Sequence, residues 1–513
     1  MNTPDWYNNK KVTVMGLGRH GGALGVAKWL AARGARLIVT DLKGEDELRP
    51  SVAELERAVK KARAAGVRVP KVRYALGRHD EADFRNVDLV YRNPAVRRNN
   101  KYLKLARKSG AAVETEASLF MQLCPYPVTA ITGTKGKSTT TALLAEMARR
   151  HDRRTAVGGN IRISPFSFLD RLLRAFERGD KPMPVILEMS SWHLEGLEQH
   201  RLSPHIAVVT NIREDHLNTY DGLHDYVKAK SIILAYQGAD DVAVTNEDDP
   251  RVARMGRGKG SWPRDGRFGG RRFGFSRRDR GGNGCYVRGG QVRVREGGPS
   301  TVQQVHGRTR FARSGQATET ALFPLSSVRL RGEHNVENVL AATAAARAMG
   351  LPKRAIAAGV AGFRGVPGRL EEVAVIAGVR YVNDTTATMP DASVAAMEAY
   401  GGAGRRIVLI AGGADKELRY GEWGRVAAKR VRVMVLLDGA ATPKLERALK
   451  RAGFRGETLR AKSMGEATRL AAGVARRGDT VLMSPACSSF GMFRHEFDRG
   501  DRFVRAVKKL RKK

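Results

Sequence analysis

The stretch Val128-Thr-Ala-Ile-Thr-Gly-Thr-Lys-Gly-Lys-Ser-Thr-Thr-Thr141 decides the fold of this chain. It predicts a short apolar strand, a glycine turn and the start of a helix. Gly133 and Gly136 allow the backbone to approach an anion closely, and the N–H groups at the helix start point towards that anion. Lys137 adds a mobile positive charge, and the hydroxyl of Ser138 is a ligand type for Mg²⁺. The pattern therefore indicates a site for the phosphates of ATP.

This segment matches the P-loop pattern G-x-x-x-x-G-K-[ST] incompletely, because the first glycine would fall at Ile131. The shorter form T-G-T-K-G-K-S-T stands here, and an apolar helical run follows between residues 142 and 147. A phosphate site is favoured by this strand-to-helix frame. The alternative is a glycine-rich turn in which Lys137 is only solvated. The ATP-binding residues predicted here are Gly133, Thr134, Lys135, Gly136, Lys137, Ser138 and Thr139.

The length of 513 residues predicts about three domains, at roughly 150 residues each. The sequence contains no apolar run of about 18 residues, the length that a membrane span needs, and the segment Met1–Trp6 lacks the pattern of a secretory signal. The three cysteines, Cys124, Cys285 and Cys487, lie far apart. This spacing argues against a disulfide framework or a zinc site. We therefore expect a cytoplasmic protein without a membrane partner.

The formal net charge is +39, from 91 basic and 52 acidic residues. Such a charge raises nucleic acid as a partner. The arginines are nevertheless spread along the whole chain, and basic and aromatic residues do not alternate as they do in RNA-binding segments. We do not expect a nucleic-acid partner, although a basic surface attracts any polyanion, including nucleotides.

Near the start of the chain, a predicted strand at Lys11–Met15 leads into Gly16-Leu-Gly18-Arg-His-Gly21 and a helix. A second strand, Arg36–Thr40, ends on Asp41. This is a βαβ nucleotide fingerprint with an acid placed to accept from a ribose or a base. It does not separate NAD from other nucleotides, and the glycines could serve only a tight turn. We predict that this first domain spans residues 1–122.

In the central part, a predicted strand beginning at Val185 ends in Glu188, and a strand at Ile206–Thr210 leads towards His216. The carboxyl ends of parallel strands meet at one edge of a sheet, where ligands bind. Glu188 and His216 are therefore candidate metal ligands, although each alone is also an ordinary surface or capping residue. A helix follows that contains Lys230, for which solvation is the usual state.

The Arg- and Gly-rich segment from about 251 to 320 predicts an antiparallel ribbon with loops. Asn335 and Asn338 then lie one turn apart on an alanine-rich helix, where they could bind adenine or ribose or could serve as caps. From residue 366 strands and helices alternate again, with Thr388, Lys416 and Ser489 in the loops that follow strands. We predict an α/β protein with a Rossmann-like domain at 1–122, a P-loop domain with a mostly parallel sheet at 123–365, and a Rossmann-like domain at 366–513.

The chain resembles the Mur ligase family almost from end to end. Each motif alone is weak, but their order is specific. The motifs are Thr132–Thr139, Gly159-Asn160-Ile161, Glu188-Met-Ser-Ser191, Asp215-His216-Leu217, Tyr226 to Lys230, Gly332-Glu-His-Asn335, Asn383-Asp384 to Thr388, and Ser484-Pro-Ala-Cys-Ser-Ser489.

The resemblance implies ATP-dependent addition of D-glutamate to UDP-N-acetylmuramoyl-L-alanine, with three domains that bind the UDP substrate, ATP and the amino acid in turn. It implies catalytic roles for Lys137, Glu188, His216 and Lys230. Two Mg²⁺ ions would be held by Ser138, Glu188, His216 and Lys230, the last as a carbamate. The UDP substrate would contact Gly18, Arg19, His20, Asp41 and Asn160. ATP would also contact Asn335, Asn338, Arg369 and Asp384, and D-glutamate would contact Thr388, Lys416, Ser489 and Phe497.

The chain departs from the family at four places. Thr386 stands where a lysine follows Asn-Asp-Ser, and Arg162 replaces a common glycine. Arg92-Asn-Pro-Ala95 replaces the usual Ser-Pro-Gly loop, and Arg19 and His20 stand where small or apolar residues are frequent. The alternatives are a sister ligase with another amino acid, a basic P-loop ATPase that binds nucleic acid, and an NAD-dependent redox enzyme. We expect a monomer.

Overall fold

The structure is a computed structural model of the chain. It describes residues 3–18, 21–94, 96–161, 163–213, 220, 222–255, 270–297, 302–305, 308–311, 318–330, 332–402, 406–415, 418–489 and 491–510. The chain forms two compact units, the first from residues 1–329 and 333–363 and the second from 330–332 and 364–513. No helix in the described ranges combines the length and the apolar character needed to cross a membrane.

The first sheet has five parallel strands in the order β3-β2-β1-β4-β5. Its strands are nearly continuous apolar runs because helices cover both faces of a parallel sheet. The chain order reverses between β1 and β4, so the glycine turn after β1 lies at a topological switch point, where α/β sheets bind ligands. The elements are β1 (Lys11–Met15), α1 (Gly22–Ala31), β2 (Arg36–Asp41), α2 (Glu45–Ala64), β3 (Arg73–Leu76), β4 (Leu89–Arg92), α3 (Lys101–Lys108), β5 (Ala112–Glu114) and α4 (Glu116–Leu123).

The second sheet has nine strands in the order β16-β13-β12-β11-β10-β9-β6-β8-β7. Strand β6 runs parallel to β8 on one side and to β9 on the other, so the loops that follow these three strands meet at one edge. The parallel part comprises β6 (Val128–Thr132), α5 (Lys137–His151), β7 (Ala156–Gly159), α6 (Phe166–Glu177), β8 (Val185–Glu188), α7 (Ser191–Glu198), β9 (Ile206–Val209), α8 (Leu223–Ala235), β10 (Val242–Asn246), α9 (Pro250–Met255) and β11 (Arg271–Ser276).

The rest of the first unit contains the predicted antiparallel ribbon. Strand β12 pairs antiparallel with β13, and β13 pairs antiparallel with β16, while β14 and β15 form a separate two-stranded ribbon. The remaining elements are β12 (Gly284–Arg288), β13 (Gln291–Glu296), β14 (Val302–Val305), β15 (Arg308–Phe311), β16 (Thr318–Pro324), α10 (Glu333–Ala348) and α11 (Lys353–Gly362).

The ribbon prediction was wrong for one segment. Strand β11 pairs in parallel with both β10 and β12, so Arg271–Ser276 extends the main parallel sheet. Its second half, Gly274 to Ser276, is buried. Alternation of arginine with apolar residues suggested a half-exposed ribbon, and the pairing with neighbours on both sides could not be read from that alternation.

The second unit contains a six-stranded sheet in the order β17-β18-β22-β19-β20-β21, with only β17 antiparallel among the described strands of this sheet. The neighbouring strands β18, β22 and β19 send their following loops to one edge. The elements are β17 (Glu371–Ile376), β18 (Val379–Asn383), α12 (Pro390–Gly401), β19 (Ile407–Ala411), α13 (Gly421–Arg430), β20 (Val431–Leu437), α14 (Thr442–Arg451), β21 (Glu457–Ala461), α15 (Met464–Val474), β22 (Thr480–Met483) and α16 (Glu496–Leu510).

These three main sheets confirm the predicted α/β class with mostly parallel sheets and a short antiparallel ribbon. The domain boundaries at 122/123 and 365/366 stay predictions.

Candidate active site

The glycine turn after β6 has neighbours on two sides that leave no room for side chains. Gly133 and Gly136 have φ values of +145° and +83°. A Cβ added to Gly133 would lie 1.9 Å from Thr210 Oγ1, and one added to Gly136 would lie 2.1 Å from Asn338 Oδ1. Both positions therefore need glycine for backbone conformation and for space.

The residues that follow β9 hold this turn in place. The Asn211 side-chain oxygen accepts a hydrogen bond from the Lys135 N–H at 2.9 Å, and the Asn211 carbonyl accepts one from the Thr134 N–H at 2.9 Å. The Thr210 hydroxyl donates to the Lys135 carbonyl at 2.7 Å. The turn is thus fixed before any ligand binds, with the start of α5 facing the same edge of the sheet.

Lys137 is the first residue of α5, and its ammonium group curls over the turn. Its Nζ donates to the carbonyls of Gly133 and Thr134 at 2.9 and 3.0 Å. An α-helix leaves its first N–H groups without partners inside the helix. Ser138 is half-buried and Thr139 is buried in the same first turn. The turn therefore combines a positive charge, a hydroxyl and a helix N-terminus, the groups that bind phosphate.

Glu188 ends β8 and is only 1% exposed. Its position opposite Ile131 of β6 places it beside the strand that leads into the turn. Its Oε1 accepts a hydrogen bond from Asn160 Nδ2 at 2.8 Å. Its Oε2 is buried and has no hydrogen-bond donor among the described residues. A buried carboxylate oxygen without a donor is unfavourable, and a hard cation would compensate it.

Lys230 lies on α8 and is 2% exposed, although its sequence context favours a solvated lysine. Its Nζ donates to Thr132 Oγ1 at 3.4 Å and lies 4.7 Å from the centre of the Tyr226 ring. Thr132 is the last residue of β6, so the Lys230 side chain approaches the base of the glycine turn at residues 133–136. This turn is called the phosphate turn below. The structure thus brings Lys137, Glu188 and Lys230 to the same edge of the sheet.

His216 lies outside the described residues. Within the described part of the chain, no three His, Cys, Asp or Glu side chains converge as a metal site. Two oxygen atoms near the turn suit Mg²⁺ as ligands. They are Glu188 Oε2, which accepts no hydrogen bond from the described residues, and the hydroxyl oxygen of Ser138. These oxygen donors fit a hard cation, and the uncompensated Glu188 oxygen is the observation that supports one.

Asn335 and Asn338 lie on the first turns of α10 and are both buried. Asn338 Nδ2 donates to Asn335 Oδ1 at 3.0 Å, and Asn338 Oδ1 accepts from the Thr140 hydroxyl at 3.5 Å. The pair therefore packs directly against Gly136 of the phosphate turn and against the start of α5.

In the first sheet, Asp41 holds the glycine turn after β1. Its Oδ2 accepts a hydrogen bond from the Gly18 N–H at 3.0 Å, and its Oδ1 accepts one from the Lys43 N–H at 3.0 Å. Ser51 Oγ donates to the Gly18 carbonyl at 2.9 Å. The two other residues predicted for this turn, Arg19 and His20, lie outside the described residues.

In the second unit, Asp384 follows β18 and is 4% exposed. Its carboxylate accepts hydrogen bonds from Ser484 Oγ at 2.7 Å and from the Leu370 N–H at 3.2 Å. Burial dominates over these contacts and raises the pKa of Asp384 to about 7. The bond to Ser484 joins the loop after β18 to the loop after β22.

The other residues predicted for this unit lie in loops after its strands, on α16 or, for Arg369, just before β17. Ser489 is buried after β22, and Thr388 is half-buried after β18. Phe497 is half-buried on the first turn of α16, and Arg369 is exposed. Lys416 lies outside the described residues.

Arg499 was missed in the sequence, although the structure buries it completely at this edge. It donates to the Thr385 carbonyl at 2.8 Å, to Thr385 Oγ1 at 3.2 Å and to the Cys487 carbonyl at 3.1 Å. Burial lowers its pKa to about 10. Arg499, Phe503 and Val507 are spaced by four residues on the buried face of α16, and an arginine on an apolar helical face was the available signal.

Two family models match the chain. The Mur ligase middle domain matches residues 131–262, and the glutamate ligase domain of Mur ligases matches residues 368–487. The chain is 40% identical to the UDP-N-acetylmuramoylalanine–D-glutamate ligase of Roseiflexus sp., over 97% of this chain and 98% of that protein. It is 37% identical to the protein of the same name from Geobacter metallireducens, over 98% of both chains.

Among solved structures, the UDP-N-acetylmuramate-alanine ligase of Thermotoga maritima has a similar fold. It aligns with a TM-score of 0.54 at 18% identity, over 98% of this chain and 100% of that one. The resemblance inferred from the ordered motifs is thereby confirmed, and the chain belongs to the Mur ligase family.

Proposed function

We propose that this enzyme uses ATP to join D-glutamate to UDP-N-acetylmuramoyl-L-alanine, a step of peptidoglycan precursor synthesis. The structural observation that carries the proposal is the buried, uncompensated Oε2 of Glu188 beside a preformed phosphate turn. The choice of substrates is supported by relatives of nearly the same length that are named for this reaction. A basic ATPase would also place a carboxylate beside a phosphate turn, but neither it nor an NAD-dependent enzyme accounts for the names of these relatives.

The phosphate turn would bind the ATP phosphates through the N–H groups of residues 133–139. Lys137 Nζ, now held by two carbonyls of the turn, would exchange them for phosphate oxygens, which attract an ammonium group more strongly. The asparagine pair on α10, Asn335 and Asn338, is assigned to the adenosine. Arg369 and Asp384 are assigned to ATP from the second unit.

Mg²⁺ would be held by the Ser138 hydroxyl and Glu188, and a second ion by His216 and Lys230. Bound Mg²⁺ neutralises charge on the transferred phosphoryl group. An ammonium group cannot be a metal ligand, whereas a carbamate on Lys230 would supply anionic oxygens. The burial of Lys230 supports this assignment, because carbamylation replaces a buried ammonium group by a carbamate, whose negative charge a bound metal ion would compensate.

The reaction would occur in two steps. First, a carboxylate oxygen of the UDP substrate attacks the γ-phosphorus of ATP, so an O–P bond forms, the bond to the β–γ bridging oxygen breaks, and ADP leaves. The neutral amine of D-glutamate then attacks the carbonyl carbon of this acyl phosphate. The new C–N bond forms as inorganic phosphate leaves, and the amine loses a proton. Lys137 stabilises the negative charge that develops in the first step.

Substrate positioning is assigned to the remaining predicted residues. Gly18, Arg19, His20, Asp41 and Asn160 are assigned to the UDP substrate. Thr388, Lys416, Ser489 and Phe497 are assigned to D-glutamate, with the neutral Thr386 where family members have a lysine. Asn160 also orients Glu188 through their hydrogen bond. We further propose that the enzyme is a cytoplasmic monomer of three domains.

Phosphate release is the assay for this proposal. We expect release that requires ATP, Mg²⁺, UDP-N-acetylmuramoyl-L-alanine and D-glutamate together, and that Lys137→Ala abolishes. Release that depends on L-alanine or a diamino acid in place of D-glutamate would instead identify a sister ligase. Release stimulated by DNA or RNA, without the UDP substrate, would refute the proposal.

A further inference from the structure

A cationic groove in the second unit has no role in the reaction described above. It lies between the start of α13 and the length of α14 and encloses a cavity of about 480 Å³. Five basic side chains line it, and the buried Tyr420 forms part of its floor. The basic residues are Arg419, Arg425, Lys444, Arg447 and Arg451.

The four arginines of this groove are exposed. Within the described residues, none of them has a carboxylate partner within 4.0 Å. Some other arginines of the chain are neutralised locally. Arg295, for example, pairs with both Asp279 and Glu319 at 2.7 and 3.3 Å. The groove therefore concentrates positive charge that carboxylates of the described residues compensate only at Lys444, and such a concavity attracts anions.

Lys444, the fifth basic residue of the groove, forms an ion pair within the protein. Its Nζ lies 2.5 Å from the carboxylate of Asp415, on the loop that follows β19. The start of α14 is also tied to this loop, because the Ala441 N–H donates to the Gly413 carbonyl at 3.0 Å. One edge of the groove is thus fixed by the loop, while its arginines remain available to a ligand.

We propose that this groove binds a compact multivalent anion of the oligophosphate class. Guanidinium groups match pairs of phosphate oxygens in geometry and charge. A cavity of about 480 Å³ has the size of a small-molecule site. A nucleic-acid strand would need cations along an extended groove that follows its backbone, whereas here they surround one cavity. The ligand is an inorganic oligophosphate or a nucleoside polyphosphate, which share this chemistry.

The test is calorimetric titration of the full chain with inorganic tripolyphosphate, with the phosphate turn saturated by Mg²⁺ and a non-hydrolysable ATP analogue. The groove variant is Arg425→Glu/Arg447→Glu/Arg451→Glu. The matched control is Arg455→Glu/Arg469→Glu/Arg476→Glu, which changes three exposed arginines of the same unit and alters net charge equally. This binding measurement does not depend on turnover, so it stands or fails separately from the proposed ligase activity.

We expect tripolyphosphate to bind the wild type and the control variant alike. It should bind the groove variant about 30-fold more weakly, which is about threefold for each exposed arginine replaced. Asp415→Asn should bind severalfold more tightly, because it releases Lys444 to the ligand. Tighter binding of GTP than of tripolyphosphate, lost in the groove variant, would identify a nucleoside polyphosphate, and equal binding would identify an inorganic one.

Equal weakening in the groove and control variants would overturn the proposal, because net charge alone would then explain the binding. Absence of tripolyphosphate binding to the wild type would overturn it as well. So would binding of a single-stranded oligonucleotide that depends on the groove while tripolyphosphate does not bind.

Discussion

Asn338 occupies the space that a side chain at Gly136 would need: a Cβ built on Gly136 would lie 2.1 Å from Asn338 Oδ1. Asn338 in turn accepts a hydrogen bond from Thr140, one turn into α5. Helix α10 therefore packs an amide against Gly136 of the phosphate turn, while Thr210 packs against Gly133. The shape of the turn depends on packing from two distant parts of the sequence.

Gly136→Ala should consequently damage ATP binding more than it damages the fold. The added Cβ would displace Asn338 or the turn, and the positive φ would strain the alanine by about 1 kcal/mol. We expect ATP affinity to fall at least about tenfold, an amount that loss of one charge-assisted hydrogen bond explains. Equilibrium binding of a fluorescent ATP analogue measures this.

Gly453→Ala is the control, because Gly453 has φ +67° and a Cβ added there would meet no atom within 4 Å. It shares the backbone strain without the contact. Equal ATP affinities for both variants would show that the contact with Asn338 has no role in shaping the turn.

Glu188→Gln should weaken Mg²⁺ binding while stabilising the metal-free protein. An amide keeps the shape of the side chain but removes a buried charge whose Oε2 has no donor among the described residues. We expect the metal-free variant to be more stable than the wild type by roughly 1–3 kcal/mol. The Mg²⁺ concentration for half-maximal phosphate release should rise at least about tenfold.

Denaturant unfolding in EDTA and a magnesium titration of activity are the two measurements. A variant that is less stable without metal and has an unchanged magnesium requirement would show that the Glu188 carboxylate is satisfied within the protein.

Lys230→Ala should lose activity that short carboxylates restore in part. The alanine variant leaves a space next to Thr132, where formate or acetate can supply the anionic oxygens assigned to the carbamate. We expect turnover to fall by about two orders of magnitude, the usual effect of removing one electrostatic group from an active site. The rate of phosphate release is followed against acetate concentration, with chloride as the control salt. Full activity without any added carboxylate would rule out this role for Lys230.

Asp384→Asn should change the pH dependence of stability. The folded pKa of about 7 lies above the ordinary value of 3.8, so the folded protein retains a proton that the unfolded chain releases. Stability from this group is therefore lost as pH rises from about 4 to 7, by up to about 4 kcal/mol at 1.4 kcal/mol per pKa unit. The asparagine variant lacks this loss. Its free energy of unfolding should therefore rise relative to that of the wild type between pH 5 and pH 8.

Denaturant unfolding of both proteins at the two pH values measures the difference. If the wild type and the variant differ by the same free energy at pH 5 and pH 8, Asp384 titrates near its ordinary pKa.

The local sequence pattern was sufficient to predict the phosphate turn and most strands. The spacing of Gly133, Gly136 and Lys137 fixes a strand–turn–helix unit because few other local structures suit these residue types. Residues that support the turn from elsewhere in the chain were harder to find. Thr210 and Asn211 are small polar residues after a strand, and nothing local distinguishes them from ordinary loop residues.

Burial of charged residues was equally hard to predict. Lys230 lies on a helix whose sequence allows a solvated side chain, so only tertiary packing determines its burial, whereas Arg499 could have been found from its place on the apolar face of α16. Strand β11 was misjudged for a related reason, because its neighbours in the sheet are set by distant pairing. Sequence pattern thus predicts the elements and their order, whereas the supporting contacts of the site depend on packing between them.

The most direct test of the account is the mass of the product. The purified protein is incubated with ATP, Mg²⁺ and UDP-N-acetylmuramoyl-L-alanine, and each amino acid is offered separately before mass spectrometry. The account predicts one new species with D-glutamate, heavier than the UDP substrate by the amino acid less one water, together with ADP and phosphate. An unchanged UDP substrate with D-glutamate, or a condensed product with a different amino acid, would contradict it.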